Sequence, residues 1–113
     1  MMTLARIHLK ARLIHERGRL CENCGHRKGT DLDEVIISRG DVSGNARLTQ
    51  IVTEAEVNVC LTCRKCNTEQ AGRSRLAEKL LRRYGAARIG EWINSLGLKN
   101  PHRYLQALER VST

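Results

Sequence analysis

The sequence has no phenylalanine, a single tryptophan, two tyrosines and one proline. Its 113 residues must therefore build a core mainly from Leu, Ile and Val. A domain of this size buries only about two-thirds of its unfolded surface, so a second source of stability is expected. No apolar run approaches the roughly 20 residues of a membrane-spanning helix. The opening stretch lacks a signal-peptide apolar core, because Arg6, Lys10 and Arg12 interrupt it. These absences point to a reducing, cytoplasmic setting in which cysteines stay as thiolates. The length also leaves no space for a cofactor domain beside a substrate domain, and a single domain over 1–113 is expected.

Charge and cysteine are what the chain does have. Lys and Arg number 20 against 12 Asp and Glu, a net charge of +8 that points to a polyanionic partner. The excess is uneven. Residues 1–30 carry a net +5, residues 31–60 a net −4 and residues 61–113 a net +7. A uniform polycation has no need of an acidic middle, whereas a site holding a divalent cation beside a phosphodiester does.

The five cysteines are an odd number, which suits full disulfide pairing poorly. Cys21-x-x-Cys24 and Cys63-x-x-Cys66 form two knuckles separated by 38 residues. Two such turns place four thiolates about 2.3 Å from a tetrahedral Zn²⁺ in a closed, structural site. That metal would supply the stability an aromatic-poor core lacks; buried free thiols are the plainer alternative. Cys60 overlaps the second knuckle and competes with Cys66 for a place in it. Its position inside a strand-like stretch, Val57–Leu61, favours a small apolar thiol turned inward, leaving Cys63 and Cys66 as ligands.

Apolar spacing predicts a helix over 3–17, with Leu4, Ile7, Ala11 and Ile14 inward, Arg6, Lys10, Arg12 and Arg17 outward, and Gly18 as the stop. Short strands are expected at 19–21, 35–37 and 57–61, with a Gly- and Asp-bearing loop over 39–45. The stretch 49–56 reads either way and could open a short helix. Three helical pieces follow. Leu76, Leu80, Leu81 and Tyr84 form one stripe ending at Gly85, and Ile89, Trp92, Ile93 and Leu96 form another ending at Gly97. Asn100-Pro101 opens the third, through Tyr104, Leu105 and Leu108. Trp92 shares its stripe with isoleucines and reads as core. The expected fold class is α+β: an N-terminal helix over 1–19, a zinc-pinned core over 20–73 and a helical extension over 74–113.

From Leu20 to Arg73 the motifs are Cys21-Glu22-Asn23-Cys24-Gly25, Leu32-Asp33-Glu34-Val35-Ile36-Ile37-Ser38-Arg39-Gly40 and Leu61-Thr62-Cys63-Arg64-Lys65-Cys66-Asn67. This half of the chain resembles the zinc-bearing HNH endonuclease superfamily, ββα-metal nucleases that are often phage-encoded. The resemblance implies a ββα core in which four cysteines hold zinc and pin a β-hairpin to a helix, acting in a bacterial cytoplasm. It also implies a separate Mg²⁺ or Mn²⁺ between hairpin and helix for hydrolysis of DNA phosphodiesters. Asn67 occupies the helix position at which the family presents Asn or His to that ion. Glu34, Ile36, Ile37 and Arg39 match the family's strand, and Asp33 stands near the place of its general-base His.

No His lies between Asp31 and Asn67; the four are His8, His15, His26 and His102. Of these, His26 follows the first knuckle and could approach the site. An Asp ligates Mg²⁺ well but is a poor general base at neutral pH. Two functions follow, the endonuclease as the leading one and the non-catalytic module as its alternative. In one, Asp33, Glu34 and Asn67 hold a single Mg²⁺ or Mn²⁺ whose water attacks the phosphate. In the other, the scaffold has lost its base and acts as a zinc module that binds DNA or regulates transcription or packaging, with its C-terminal helices open to a protein partner. In both, Arg39, Arg64, Lys65, Arg73 and Arg75 are the expected phosphate contacts. Arg82, Arg83, Arg88 and the basic face of 6–19 extend the track. One Trp and two Tyr leave few platforms for base stacking.

Overall fold

In the computed structural model, which describes residues 2–112 apart from the side chain of Ser112, the first element is α1, Leu4–Arg17. The Thr3 hydroxyl caps it by accepting from the Arg6 N–H, and Gly18 ends it at φ +90°. The helix is where the spacing predicts, but it is rotated. Arg6, Leu9 and Leu13 face inward, while Leu4 and Ile7 are 68% and 50% exposed. Backbone acceptors explain the rotation. The Arg6 guanidinium donates to the carbonyls of Thr53 and Leu32. Arg17 donates to the Val59 carbonyl at 2.7 Å, the Glu56 carbonyl at 3.2 Å and the Tyr84 hydroxyl at 2.7 Å. Charge-assisted bonds of this kind are about twice as strong as neutral ones, and two such arginines outweigh the burial of Leu4 and Ile7.

The sheet has two antiparallel strands, β1 (Asp31–Glu34) and β2 (Val59–Thr62), with Asp31 opposite Thr62 and Asp33 opposite Cys60. The strand expected at 35–37 therefore lies four residues earlier. Asn58 is the reason. Its buried Oδ1 accepts from the N–H groups of Ile36 (3.0 Å) and Ile37 (2.8 Å), and its Nδ2 donates to the carbonyls of Ile37 (2.9 Å) and Val52 (2.8 Å). A side chain thus takes over from the ladder where β1 ends. Asn58→Ala leaves these buried groups unpaired, and each costs about 1–3 kcal/mol. We expect a net loss of about 3 kcal/mol in urea unfolding; a loss under about 1 kcal/mol would refute this role. The strand expected at 19–21 reduces to one bridge between Leu20 and Lys28.

The ambiguous segment becomes α2, Ala46–Glu54, capped by Asn45. A 3₁₀ turn over Arg39–Val42 precedes it, with a Ser38–Asp41 capping box. Immediately after β2 comes α3, Arg64–Glu69. The tail forms α4 (Arg73–Tyr84), α5 (Ala86–Ser95) and α6 (Pro101–Ser112), as the stripes predict. One apolar cluster packs Leu9 and Leu13 on Leu32, Val59 and Leu61. A larger one joins Ile37 and Val52 to Leu76, Leu80, Ile89 and Ile93, with Trp92 half-buried against it. The architecture is α+β. It contains a strand–strand–helix succession, but residues 35–58, α2 included, separate the strands in place of a tight hairpin turn. No helix among the described residues is long and apolar enough to cross a membrane.

Candidate metal centre

Both knuckles are tight turns in which the first sulfur accepts the amide of the second cysteine, Cys24 N–H to Cys21 Sγ at 3.5 Å and Cys66 N–H to Cys63 Sγ at 3.4 Å. Cys63 adopts an extended conformation as the N-cap of α3, so β2 delivers one ligand and the first turn of α3 the next. The Sγ atoms of Cys21, Cys24, Cys63 and Cys66 all lie within 4.8 Å of one another. The Cys24 and Cys63 sulfurs are 4.0 Å apart, against about 3.8 Å for two sulfurs on one tetrahedral zinc. The four cysteines chosen from spacing are thus the four the fold assembles, and they could hold a metal ion such as zinc.

Hydrogen bonds tune the sulfurs. The backbone N–H groups of His26 and Arg27 lower the Cys24 thiol to about 6. Cys66 goes the other way, to about 11. The Asn23 amide, 3.4 Å from its sulfur, favours the thiolate, but burial and the three neighbouring sulfurs outweigh it. Four thiolates so close cannot all ionise without a cation among them, which is what a metal would provide. Gly72 completes the shell. It sits at φ +67°, and a Cβ there would fall 1.8 Å from Asn23 Oδ1, displacing the amide that donates to Cys66.

Cys60 lies outside this set. It is fully buried beside the Leu76 carbonyl, and burial raises its thiol pKa, so it is an apolar filler. We expect Cys60→Ser to keep one metal ion per chain after gel filtration and Cys66→Ser to lose it. The reverse pattern would reassign the ligand. The His26 side chain is exposed, and only its backbone serves the site.

The residues expected between hairpin and helix do not all converge. Along β1, alternation puts Asp31 and Asp33 on one face and Leu32 and Glu34 on the other. Asp33 is 2% exposed, and both its oxygens accept from Arg73, one at 2.7 Å, with the Thr62 hydroxyl donating at 3.2 Å. Glu34 faces α1 and takes Arg39 Nε at 2.9 Å and Arg6 Nη2 at 3.8 Å. Asn67 meets Asp31, donating to its Oδ2 at 3.0 Å, and Arg64 Nε donates to the same oxygen at 2.7 Å. Burial would raise the Asp31 pKa, but Arg64 and Asn67 hold it below the usual carboxylate range. Asp31 is the residue missed from sequence, although period-two alternation already pairs it, not Glu34, with Asp33. Among the described residues, no second group of three His, Cys, Asp or Glu side chains comes together.

The basic residues divide in the same way. Arg39, Arg64 and Arg73 are held by Glu34, Asp31 and Asp33, and Arg75 donates to the Asn23 carbonyl at 3.1 Å. The carboxylates of the acidic middle pair with arginines from both flanks. Arg64 and Arg73 from the C-terminal flank dock on Asp31 and Asp33, and Arg6 from the N-terminal flank docks on Glu34. Glu56 takes one arginine from each flank, Arg12 at 3.2 Å and Arg88 at 3.0 Å. These carboxylates therefore join the two basic flanks. Beside the second knuckle, Arg27, Lys28, Arg64 and Lys65 line an open groove that contains one carboxylate, Glu69. Lys65 is exposed there, and Arg64 keeps 81% of its side chain in solvent despite its ion pair. No family model, curated protein or solved structure matches the chain.

Proposed function

We propose that this chain is a zinc-organised module that binds double-stranded DNA through its phosphate backbone, a non-catalytic form of the HNH-like scaffold its motifs resemble. The observation carrying this reading is the groove of Arg27, Lys28, Arg64 and Lys65 beside the Cys63 knuckle. Four cations against one carboxylate suit a row of phosphates. Duplex is favoured over single strands because the aromatic rings are otherwise engaged. Tyr104 is buried, Trp92 packs on the core, and Arg17 and Arg88 cover the Tyr84 ring. Zinc is the metal that a closed set of four cysteines suits best.

Salt-sensitive binding of a short duplex, followed by fluorescence anisotropy, tests the proposal. Lys65→Ala and Arg64→Ala should each flatten the plot of log K against log salt by about 0.9 for every phosphate no longer neutralised. Unchanged slopes would remove the groove from the interface.

The alternative is a Mg²⁺- or Mn²⁺-dependent endonuclease, favoured by the meeting of Asp31 and Asn67 at the hairpin–helix junction. Asp33 is saturated by Arg73 and Thr62, and Glu34 faces away, so Asp31 and Asn67 would have to carry the ion after displacing Arg64. Supercoiled plasmid should stay intact with Mg²⁺, Mn²⁺ or no added metal. Metal-dependent nicking that disappears in Asn67→Ala would establish the enzyme instead.

A further inference from the structure

Most arginines of this protein lie against a carboxylate. Arg6, Arg12, Arg17, Arg39, Arg64, Arg73, Arg82, Arg88 and Arg103 all do. A second groove, between the first knuckle and α4, still has more cations than carboxylates in its lining, four against one. It is lined by Leu20, Cys21 and Glu22 on one side, by Lys79, Arg82 and Arg83 on the other, and by Arg17 at its base. Glu22 is the one carboxylate in the lining, and it is already committed to the Arg17 guanidinium at 3.2 Å and to the Leu61 N–H.

Arg82 reaches only its own-helix neighbour Glu78, and Lys79 donates to the Glu22 carbonyl, which carries no net charge. Arg83 is exposed and has no partner among the described residues. The buried Arg17 Nε has no acceptor. Like charges that outnumber the counter-charges around a concavity raise the local potential, which attracts and orients an anion.

The position of this groove gives it meaning. The first knuckle stands on a narrow ribbon whose two arms meet at the Leu20–Lys28 bridge. Leu20, Cys21 and Glu22 of the outgoing arm line the second groove, whereas Arg27, Lys28 and Thr30 of the returning arm line the first. Two basic grooves therefore flank one metal-pinned ribbon.

We infer that the α4 groove is a second phosphate-backbone site for the same DNA duplex, so that the duplex is held on both sides of the first knuckle. This inference rests on the proposed DNA-binding function. The groove offers Lys79, Arg82 and Arg83 as phosphate donors, and the exposed Leu20 lies at its edge. Phosphate contacts of this kind position a duplex without reading its sequence.

The test compares two variant pairs with the native, metal-loaded protein over a salt series, using a short duplex of arbitrary sequence. One pair is Lys79→Ala with Arg83→Ala, and the other is Arg64→Ala with Lys65→Ala. The α4 pair should lower affinity and flatten the salt slope by about 0.9 for each phosphate it ceases to neutralise, while metal content and thermal midpoint stay unchanged. Arg83→Ala alone, which removes no hydrogen bond or ion pair within the protein, should show about half that change.

If native protein binds and only the Arg64/Lys65 pair changes the slope, the second site is overturned and the DNA-binding function stands. If only the α4 pair changes it, phosphate binding by the α4 groove stands, but the first groove is wrong and the two-sided hold is overturned. If native protein does not bind duplex at low salt, both fail. Competition by polyglutamate as strong as that by DNA would overturn the assignment to a phosphate backbone.

Discussion

Removing the metal should unfold the centre of this protein. A structural four-cysteine zinc contributes an apparent binding free energy of about 10–16 kcal/mol near neutral pH, whereas a domain of this kind is stable by about 5–15 kcal/mol in total. Apart from the sulfurs, the ribbon over 20–30 is held by polar contacts. They are the Leu20–Lys28 bridge, the Glu22 N–H on the Leu61 carbonyl at 2.8 Å, the Glu22 carboxylate on Arg17 and the Leu61 N–H, Arg75 and Lys79 on the Asn23 and Glu22 carbonyls, and the Thr30 N–H on the Thr62 carbonyl at 3.0 Å. Around the sulfurs the packing is thin, with Ala71 the one non-cysteine apolar neighbour in that cluster. Dialysis against a strong chelator under reducing conditions should abolish the cooperative thermal transition and expose all five thiols to alkylation. Added Zn²⁺ should restore both. A chelated protein, shown by elemental analysis to be metal-free, that keeps its transition would sink the prediction.

The tail and the metal set were the parts written most plainly into the sequence. Each of α4, α5 and α6 carries an apolar stripe bounded by a residue with one backbone role, Gly85 at φ +87° and Gly97 at φ +69° among them. Cysteine spacing works because the knuckle is a local turn, closed by amides three residues away. Where the reading failed, a polar side chain decided the structure across a long sequence separation. Hydropathy turns Arg6 and Arg17 to solvent, yet their acceptors, Thr53, Val59 and Glu56, lie about forty residues on. Branched residues at 35–37 read as a strand, and only the Asn58 side chain shows why the ladder stops at Glu34. The −4 of the middle segment is visible as composition, but which arginine each carboxylate meets depends on the fold. Neither basic groove could be drawn from sequence, since each joins residues more than thirty positions apart.

Asp33 provides the sharpest test of how its neighbourhood should be interpreted. Asp33→Ala should destabilise the protein by about 3 kcal/mol, at the low end of the range for breaking one side of a buried pair. The low end applies because Arg73 keeps 28% of its side chain exposed. What remains is a guanidinium whose Nε is already buried without an acceptor, now without its counter-ion. The double variant Asp33→Leu/Arg73→Met removes both charges and fills their space with apolar groups, and it should return to within about 1 kcal/mol of the native protein. Chemical denaturation of the four species of that cycle, native, Asp33→Leu, Arg73→Met and the double, gives the coupling directly. Stability also governs the nicking assay. Asp33→Ala is informative there only where its fold is shown to be intact, and the double variant cannot replace it because it also removes Arg73, an expected phosphate contact. Should Asp33→Ala prove within about 1 kcal/mol of native, the carboxylate does not anchor the start of α4. The pairing with Arg73 would then be dispensable, and Asp33 would be free to serve a metal ion.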